Sequence, residues 1–175
     1  MAEKASPVVD LARETVARFV RDGVVLRPEA SSPELEERAG VFVSIHKNGE
    51  LRGCIGTFEP TRENVAEEIV ANAISAATRD PRFPPVSSSE LPSLDYNVDI
   101  LTSPEPVESV EDLDAKKYGV IVECGGRRGL LLPDLEGVET VAQQIGICRM
   151  KAGIGPSEPV RLYRFEVRRF GESDH

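Results

Sequence analysis

The sequence predicts an α+β protein of two subdomains, each a β-hairpin followed by a helix and a single strand. A turn signal, Asn48-Gly49, comes directly after the half-apolar segment Val41–Lys47, as in a hairpin. A helical pattern and then the alternating segment Leu94–Leu101 follow it. The same order returns over residues 118–169 without matching residue identity. Long loops at the junctions predict a cleft between the two subdomains.

Two helix signals precede the first hairpin. Ser6-Pro7 offers a capping hydroxyl and a proline for the first helical position, and apolar residues then recur at helical spacing. Gly23 predicts the end of this helix. Ser32-Pro33 predicts at most one short helical turn, which ends by Arg38.

The Asn48-Gly49 turn sets the predicted register of the first hairpin. A two-residue turn pairs the strands as Lys47 with Glu50, Ile45 with Arg52, and Val43 with Cys54. In this register Arg52 and Cys54 share one face of the sheet, and His46 points to the other. A β-bulge at either glycine of the LRGCIGTF segment (Leu51–Phe58) would reverse this relation locally.

The next helix is predicted over residues 62–78, with Thr61 as its N-cap and an alanine-rich apolar arc that packs on a sheet. Asp80-Pro81 ends it, because the residue before proline avoids helical geometry. Residues 80–85, the DPRFPP loop, are stiff, since three prolines restrict φ. In Leu94–Leu101 the apolar residues alternate, which predicts one buried and one solvated face.

The second subdomain follows a junction near residues 102–117. The acidic run Glu105–Asp114 is typical of a solvated face or a short helix. The remaining predicted elements are a strand over Tyr118–Glu123, a turn over residues 125–128, an arm over Gly129–Pro133, a helix that ends at Gly153 and a strand over Arg161–Arg169.

Composition and charge argue against several classes of function. The 175 residues are 40% hydrophobic and 29% charged, as in a soluble globular protein, with a formal net charge of −9. That charge and the absence of tryptophan argue against nucleic-acid binding. The N-terminal residues have no apolar signal-peptide core, and no apolar run reaches membrane-spanning length. We therefore expect a cytoplasmic protein with reduced thiols and no membrane partner.

Metal and cofactor motifs are not found. The three cysteines and two histidines follow none of the usual zinc-binding spacings. The glycines at 125–126 and 153–155 lack the lysine or the strand–helix context of a nucleotide-binding loop. We expect neither a metal site nor a cofactor.

The LRGCIGTF segment contains the main candidate for chemistry, Cys54. In the predicted register the guanidinium of Arg52 lies beside the thiol and lowers its pKa, which favours a nucleophilic thiolate. Gly53 and Gly56 let a ligand approach the backbone, whose N–H groups stabilise an oxyanion. The alternative is a small buried hydrophobic residue, since free cysteine is among the most buried residue types.

The other histidines and cysteines add little to this site. His46 is an exposed strand residue in the predicted register and His175 is terminal, so neither orients the thiol. Cys124 continues an apolar strand face and Cys148 an apolar helix stripe, and both are predicted in the core. The sequence therefore contains no complete Cys–His–acid arrangement.

A group of arginines is conspicuous in so acidic a chain: Arg52, Arg79, Arg82, Arg127 and Arg128. If the DPRFPP loop and the turn at 125–128 approach the LRGCIGTF segment, these side chains form an anion-selective pocket. In the alternative, Asp80 bonds its own backbone and Arg82 is solvated, while Arg127 and Arg128 form a soluble turn.

LRGCIGTF, DPRFPP, the strand LDYNVDIL and the arm GLLLP together resemble the AMMECR-type domain family, named after a human chromosomal region linked to Alport syndrome, midface hypoplasia and elliptocytosis. The resemblance implies one such domain over residues 1–175, with two subdomains and LRGCIGTF near the cleft. It also implies a pathway shared with Memo-like and radical-SAM proteins. The resemblance does not specify a biochemical activity. The motif positions are Leu51, Arg52, Gly53, Cys54, Ile55, Gly56, Thr57, Phe58, Asp80, Arg82, Phe83, Pro84 and Pro85.

Two functions of different class follow, and the sequence does not decide whether the protein is an enzyme. In the first, a small anionic ligand or peptide binds in the cleft, with Cys54 as a reactive thiol activated by Arg52. The residues expected to bind that ligand are Gly53, Gly56, Thr57, Asp80, Arg82 and Phe83. In the second, the LRGCIGTF and RFPP surface of a non-catalytic adaptor docks a partner protein. The lack of a base near the thiol favours the adaptor slightly.

Overall fold

The computed structural model describes residues 6–171, so His175 lies outside the described residues. The chain forms two compact units. The first consists of the residues up to Leu101 together with those from Arg168 onward, and the second is Thr102–Val167. Each unit contains helices and one four-stranded sheet. The predicted α+β class with two subdomains is confirmed, while the cleft stays a prediction.

The helices are α1 (Pro7–Asp22), α2 (Pro33–Glu36), α3 (Val65–Thr78) and α4 (Val141–Ala152). The strands are β1 (Val41–Lys47), β2 (Glu50–Thr57), β3 (Leu94–Leu101), β4 (Glu105–Val107), β5 (Gly119–Cys124), β6 (Arg127–Leu131), β7 (Arg161–Phe165) and β8 (Val167–Gly171). The strand order is β2-β1-β3-β8 in the first sheet and β4-β7-β5-β6 in the second. Short 3₁₀ helices occupy Ser88–Ser93 and Val110–Asp112. None of the helices in residues 6–171 has the length and apolarity needed to cross a membrane.

Helix α1 begins and ends where the sequence predicts. The Ser6 side chain accepts a backbone N–H of the first turn, and Gly23 closes the helix with a φ of +68°. The apolar side of α1 and that of α3 pack on one face of the first sheet. In that face the β1 residues Val41, Val43 and Ile45 are completely buried. The core of the first unit therefore lies between these helices and the sheet.

Helix α3 begins later than predicted, with Asn64 as its N-cap in place of Thr61. Thr61 instead donates its backbone N–H and its hydroxyl to the carboxylate of Glu68, which is 1% exposed. The Arg62 N–H donates to the same carboxylate at 2.7 Å, and the Thr57 hydroxyl does so at 2.9 Å. The carboxylate needs these donors because it is buried, and it thereby ties the segment between β2 and α3 to the helix.

The predicted repeat of hairpin, helix and strand is present in the structure and extends to matching contacts. A Cβ built on Gly53 of β2 would lie 2.1 Å from the carbonyl oxygen of Ala76 in α3. A Cβ built on Gly129 of β6 would lie 1.9 Å from the carbonyl oxygen of Cys148 in α4. In each unit only a residue without a side chain fits where the helix crosses the second hairpin strand.

A buried amide on each helix repeats as well. The Asn72 side chain of α3 donates to the Val41 carbonyl at 2.9 Å, and the Gln144 side chain of α4 donates to the Tyr118 carbonyl at 2.9 Å. Each amide lies four positions before the helix residue that approaches the strand glycine. The acceptor is the first residue of β1 in one unit and the residue just before β5 in the other. The two units are therefore copies of one packing scheme.

The last predicted strand, Arg161–Arg169, was wrong as a single element. It is broken at Glu166 into β7, which lies in the second sheet, and β8, which lies in the first. The Glu166 N–H donates to the Thr102 hydroxyl oxygen at 2.8 Å, and the Thr102 N–H donates to the Glu166 carbonyl at 2.9 Å. The acidic run Glu105–Asp114 contributes the short strand β4 and a 3₁₀ turn.

Candidate functional site

All of the LRGCIGTF segment except Phe58 lies in β2, the edge strand of the first sheet, and the register of the first hairpin differs from the prediction. Lys47 pairs with Glu50 as expected, but the register shifts between Ile45 and His46. Beyond this bulge, Gly53 lies opposite Ile45, and Cys54 lies opposite Ser44. The predicted pairs Ile45–Arg52 and Val43–Cys54 were therefore wrong.

Arg52 is the extra residue at the bulge, and it binds a carboxylate away from the thiol. Its guanidinium donates to both oxygens of Glu90, at 3.0 and 3.2 Å. Lys47 donates to the same carboxylate at 3.1 Å. The hydrogen bonds from Arg52 first, then the one from the Ser87 N–H and that from Lys47, lower the pKa of Glu90 to about 2. The contacts of Arg52 tie the hairpin to the 3₁₀ helix Ser88–Ser93.

The Cys54 thiol has a raised pKa, opposite to the predicted direction. Burial is the main cause, because it penalises the thiolate. A hydrogen bond of 3.3 Å between Cys54 Sγ and the Ser44 hydroxyl oxygen opposes the rise, as does the charge of Arg82. The carboxylates of Asp99 and Asp80 add to it. The thiol is therefore protonated near neutral pH. The cation that favours its thiolate is Arg82, and not Arg52 as predicted.

The DPRFPP loop is attached to the edge strand at Cys54. The Cys54 N–H donates to Asp80 Oδ2 at 3.0 Å. Arg82 donates to the same carboxylate through Nε at 3.0 Å and through Nη2 at 2.7 Å. Asp80 is 4% exposed, whereas the Arg82 side chain is 56% exposed. The hydrogen bonds from Arg82, more than any other contact, hold the pKa of Asp80 far below its usual range.

This pKa makes the stability of the first unit depend on pH. Unfolded Asp80 binds a proton near pH 4, whereas the folded residue binds it only at much lower pH. The stabilisation is therefore present above about pH 4 and is lost as the pH falls below that value. We expect urea unfolding at pH 5 to 2 to show a smaller pH slope for Asp80→Asn, by up to about one proton.

The control for this measurement is Asp22→Asn, since Asp22 is exposed at the end of α1. Its pH slope shows what the loss of an exposed carboxylate alone does to the measurement. An Asp80→Asn protein with the same slope as the unchanged protein would contradict the role given to the Asp80 carboxylate.

The face of the first sheet that carries Cys54 is polar across three strands. Ser44 lies opposite Cys54 on one side and opposite Asn97 on the other. Asn97 is 4% exposed and Asp99 3% exposed, so the predicted solvated face of β3 was wrong. Arg169 of β8 donates to both oxygens of Asp99, at 2.8 and 3.1 Å. Among the described residues, Asn97 Oδ1 accepts no hydrogen bond.

Sequence reasoning did not identify Ser44, Asn97 and Asp99 as part of this face. The signal was present in the strand LDYNVDIL, where an amide and a carboxylate alternate with apolar residues in a central strand. The bulge also brings Cys54 to the face that carries His46, because Cys54 now lies opposite Ser44 and His46 is two residues from Ser44 in β1. His46 is half-buried in the row next to the thiol, opposite Leu51 and Asp95.

The other predicted ligand-binding residues make contacts within the fold. A Cβ on Gly56 would lie 2.2 Å from the ring of Phe42, so the glycine makes room for that ring. The Thr57 hydroxyl is used by Glu68. The Phe83 ring lies 5.4 Å from the Arg82 guanidinium, in cation–π range. Their role in binding a ligand stays a prediction.

The arginines of the second hairpin are ion-paired inside the second unit. Arg127 binds Glu158 at 2.6 Å and also donates to the Cys124 sulfur at 3.4 Å. Arg128 binds Glu123 at 2.6 Å. Cys124 is half-buried, whereas Cys148 is fully buried, and burial raises the pKa of Cys148 to about 11. Within residues 6–171 no three His, Cys, Asp or Glu side chains form a group that could hold a metal ion.

The chain is similar to known proteins over almost its whole length. The family model described as AMMECR1 matches residues 9–170, which include both the LRGCIGTF segment and the DPRFPP loop. A Thermotoga maritima protein is 54% identical over 168 residues, which cover 94% of this chain and 97% of that protein. Protein CA_C1420 of Clostridium acetobutylicum is 45% identical over 174 residues, and there the match covers 98% of this chain but 37% of the longer relative.

A solved structure has the same fold. The crystal structure of the uncharacterized protein PH0010 from Pyrococcus horikoshii superposes with a TM-score of 0.86 at 33% identity. The superposition covers 95% of this chain and 90% of that one. The architecture of α helices on two antiparallel sheets is thus shared over almost the whole length.

Proposed function

The chain belongs to the AMMECR1 family, and we propose that it binds a small anionic ligand or a peptide carboxylate at the surface around Cys54, Asp80 and Arg82. The observation that carries this proposal is the way Arg82 is held. Its guanidinium is fixed by a buried carboxylate that also accepts the Cys54 N–H, yet most of the side chain remains exposed. An exposed, oriented guanidinium suits the planar recognition of carboxylate or phosphate.

The hydrogen-bonding capacity of Arg82 supports this role. A guanidinium has about five N–H donors, and two of those of Arg82 bind Asp80. No other hydrogen bond of this side chain occurs within the described residues, which leaves donors for a ligand. The ion pair with Asp80 restrains the side chain, so less side-chain entropy is lost when an anion binds.

Cys54 is proposed as a thiol that lies next to the bound anion. Because its pKa is raised, the thiol is a hydrogen-bonding group near pH 7 and reacts as a thiolate only at alkaline pH. Arg82 favours the thiolate, so an anion bound to Arg82 weakens that effect. Ligand binding and thiol reactivity are therefore coupled in this proposal.

Alkylation with a neutral and an anionic reagent tests the proposal. Iodoacetamide and iodoacetate react with a thiolate in the same way, but only iodoacetate carries a carboxylate that Arg82 can bind. We expect the iodoacetate-to-iodoacetamide rate ratio at Cys54 to fall by about threefold to tenfold in Arg82→Ala, and the alkylation midpoint to move to higher pH. Mass spectrometry of each cysteine peptide measures these rates.

Cys124 is the internal control, because its neighbouring arginine, Arg127, is unchanged in that variant. Arg82→Lys keeps the charge without the fork and is expected to retain part of the preference. Thermal unfolding at pH 7 checks that each variant is folded. An unchanged rate ratio in folded Arg82→Ala would remove the anion-binding proposal.

A second candidate function, an adaptor, is favoured by the exposed prolines of the DPRFPP loop. Pro81, Pro84 and Pro85 are exposed around the Arg82–Phe83 pair, and prolines lose little entropy when a partner binds. The partner suggested by the motif resemblance is a Memo-like protein. Calorimetry with a purified Memo-like protein would show weaker binding to Pro84→Ser/Pro85→Ser if the loop docks it. If the Memo-like protein bound the unchanged protein and the double variant equally well, or bound neither, the adaptor candidate would be removed.

A further inference from the structure

An open pocket of about 560 Å³ lies on the first unit, on the outer side of α3. The connection after α1, residues 25–28, forms one wall of it, and α3 forms the other. This volume is within the range of small-molecule sites, about 300–1,000 Å³. The residues that line it are different from those of the Cys54 surface, so a role for this pocket is independent of the function proposed above.

The floor of the pocket is apolar. Phe19 of α1 and Leu26 of the connection face Val70 and Ile74 of α3 across it. Phe19 and Leu26 are half-buried, and Val70 and Ile74 are buried. Val25, which also lines the pocket, is 56% exposed, so apolar surface remains in contact with water. A ligand that covers this surface would gain hydrophobic stabilisation.

The rim of the pocket is cationic. Arg27, Arg62 and Arg79 line it, and Glu67 is the acidic residue among the lining side chains. All three arginines are exposed, and within residues 6–171 none of their guanidinium groups has an ion pair or hydrogen-bond partner. The rim of this pocket is therefore positively charged, although the chain as a whole has a net charge of −9.

The backbone of two of these arginines is held in place. The Arg62 N–H donates to the buried Glu68 carboxylate at 2.7 Å, and the Arg79 N–H caps the end of α3 by donating to the Ser75 carbonyl at 2.8 Å. The two residues therefore flank the two ends of α3 and bracket its apolar face. A ligand that lies along α3 meets a cation at each end.

We propose that this pocket binds an amphipathic anion, a molecule with a single alkyl chain and a phosphate monoester head. The alkyl chain lies on Phe19, Leu26, Val70 and Ile74, and the head is bound by an arginine at one end of the rim. The positive charge of the rim requires a negatively charged head, and the apolar floor requires an apolar tail. Guanidinium groups suit phosphate because they donate in a bidentate fork.

Calorimetric titration with octyl phosphate tests this assignment, with 1-octanol and inorganic phosphate as the two half-ligands. We expect saturable binding of one octyl phosphate per chain, and affinity for either half-ligand weaker by about tenfold or more. Arg62→Gln/Arg79→Gln is expected to weaken octyl phosphate binding by about tenfold, since charge-assisted hydrogen bonds are lost. Ala71→Trp, which fills the pocket from a half-buried position on α3, is expected to abolish it.

The matched control is Arg161→Gln, because Arg161 is an exposed arginine of the second unit, and its binding is expected to be unchanged. Arg82→Ala should also bind octyl phosphate normally, which separates this proposal from the anion site at Cys54. Vesicles that contain lysophosphatidic acid, a lipid with one acyl chain and a phosphate monoester head, distinguish the source of the ligand: vesicle binding that is lost in Ala71→Trp would mean that the ligand is a membrane lipid. Binding that survives both Ala71→Trp and Arg62→Gln/Arg79→Gln, or equal binding of 1-octanol, would overturn the proposal.

Discussion

Replacing Gly53 by alanine is expected to lower the free energy of unfolding by about 3 kcal/mol or more, enough to unfold a marginal domain. The new Cβ would lie 2.1 Å from the carbonyl oxygen of Ala76. That oxygen belongs to the backbone of α3, so the clash is relieved only if the helix moves away from the sheet. Such a movement would open the core between α3 and β1. Urea unfolding followed by circular dichroism measures the loss.

Two further glycine-to-alanine substitutions, one in the second unit and one at a hairpin turn, are compared with Gly53→Ala. Gly129→Ala is expected to be as damaging, because its Cβ would meet the Cys148 carbonyl oxygen at 1.9 Å. Gly126→Ala is the matched control, since no atom lies within 4 Å of a Cβ there. We expect that control to stay within about 0.5 kcal/mol of the unchanged protein. A Gly53→Ala protein of unchanged stability would mean that the helix does not cross β2 so closely.

Removing the Glu68 carboxylate is expected to destabilise the first unit by about 3 kcal/mol or more. In Glu68→Ala the backbone N–H groups of Thr61 and Arg62 and the Thr57 hydroxyl lose the acceptor that the buried Glu68 carboxylate provides. Each unsatisfied group costs about 1–3 kcal/mol. Because these groups lie in the segment before α3, we also expect that segment to become susceptible to proteolysis. Urea unfolding and limited proteolysis measure the two effects.

Two variants bracket this result. Glu68→Gln keeps one acceptor oxygen but places an amide N–H₂ among donors, so an intermediate loss is expected. Glu63→Ala removes an exposed carboxylate from the same segment and is expected to be nearly neutral. If Glu68→Ala were as stable as Glu63→Ala, the segment would have to be held by something other than this carboxylate.

The helix ends and the turn could be predicted because their signals are local. Ser6 and Gly23 bound α1, and Asn48-Gly49 gives the turn that pairs Lys47 with Glu50, all as the sequence indicates. Capping and turn preferences depend on a few neighbouring residues.

The strand register could not be predicted, because it depends on α3. Without the bulge, Arg52 would lie opposite Ile45, whose side chain points into the core beneath the helix. The Ala76 carbonyl leaves no room for a side chain there. The bulge expels Arg52 and brings Gly53 to that position, which also turns Cys54 towards Ser44. A tertiary contact therefore decides which face carries the thiol.

The start of α3 and the polar face were missed for a similar reason. Thr61 is a good N-cap by composition, but a buried carboxylate uses it and leaves Asn64 to cap the helix. Asn97 and Asp99 in β3 read as solvated because they alternate with apolar residues, yet both are buried in a central strand. Burial of a polar residue depends on what covers it, which periodicity does not report.

The position of β8 has a consequence for biosynthesis. The strand that flanks β3 is synthesised only after residues 102–166, which make up almost all of the second unit. Until then β3 is an open edge of the first sheet in the nascent chain, and the Asp99 carboxylate lacks its ion pair with Arg169. The second unit, which is continuous in sequence, has no such delay. A translation product cut short before β8 would expose that edge to aggregation or to chaperones, so the first sheet can close only once β8 has been synthesised.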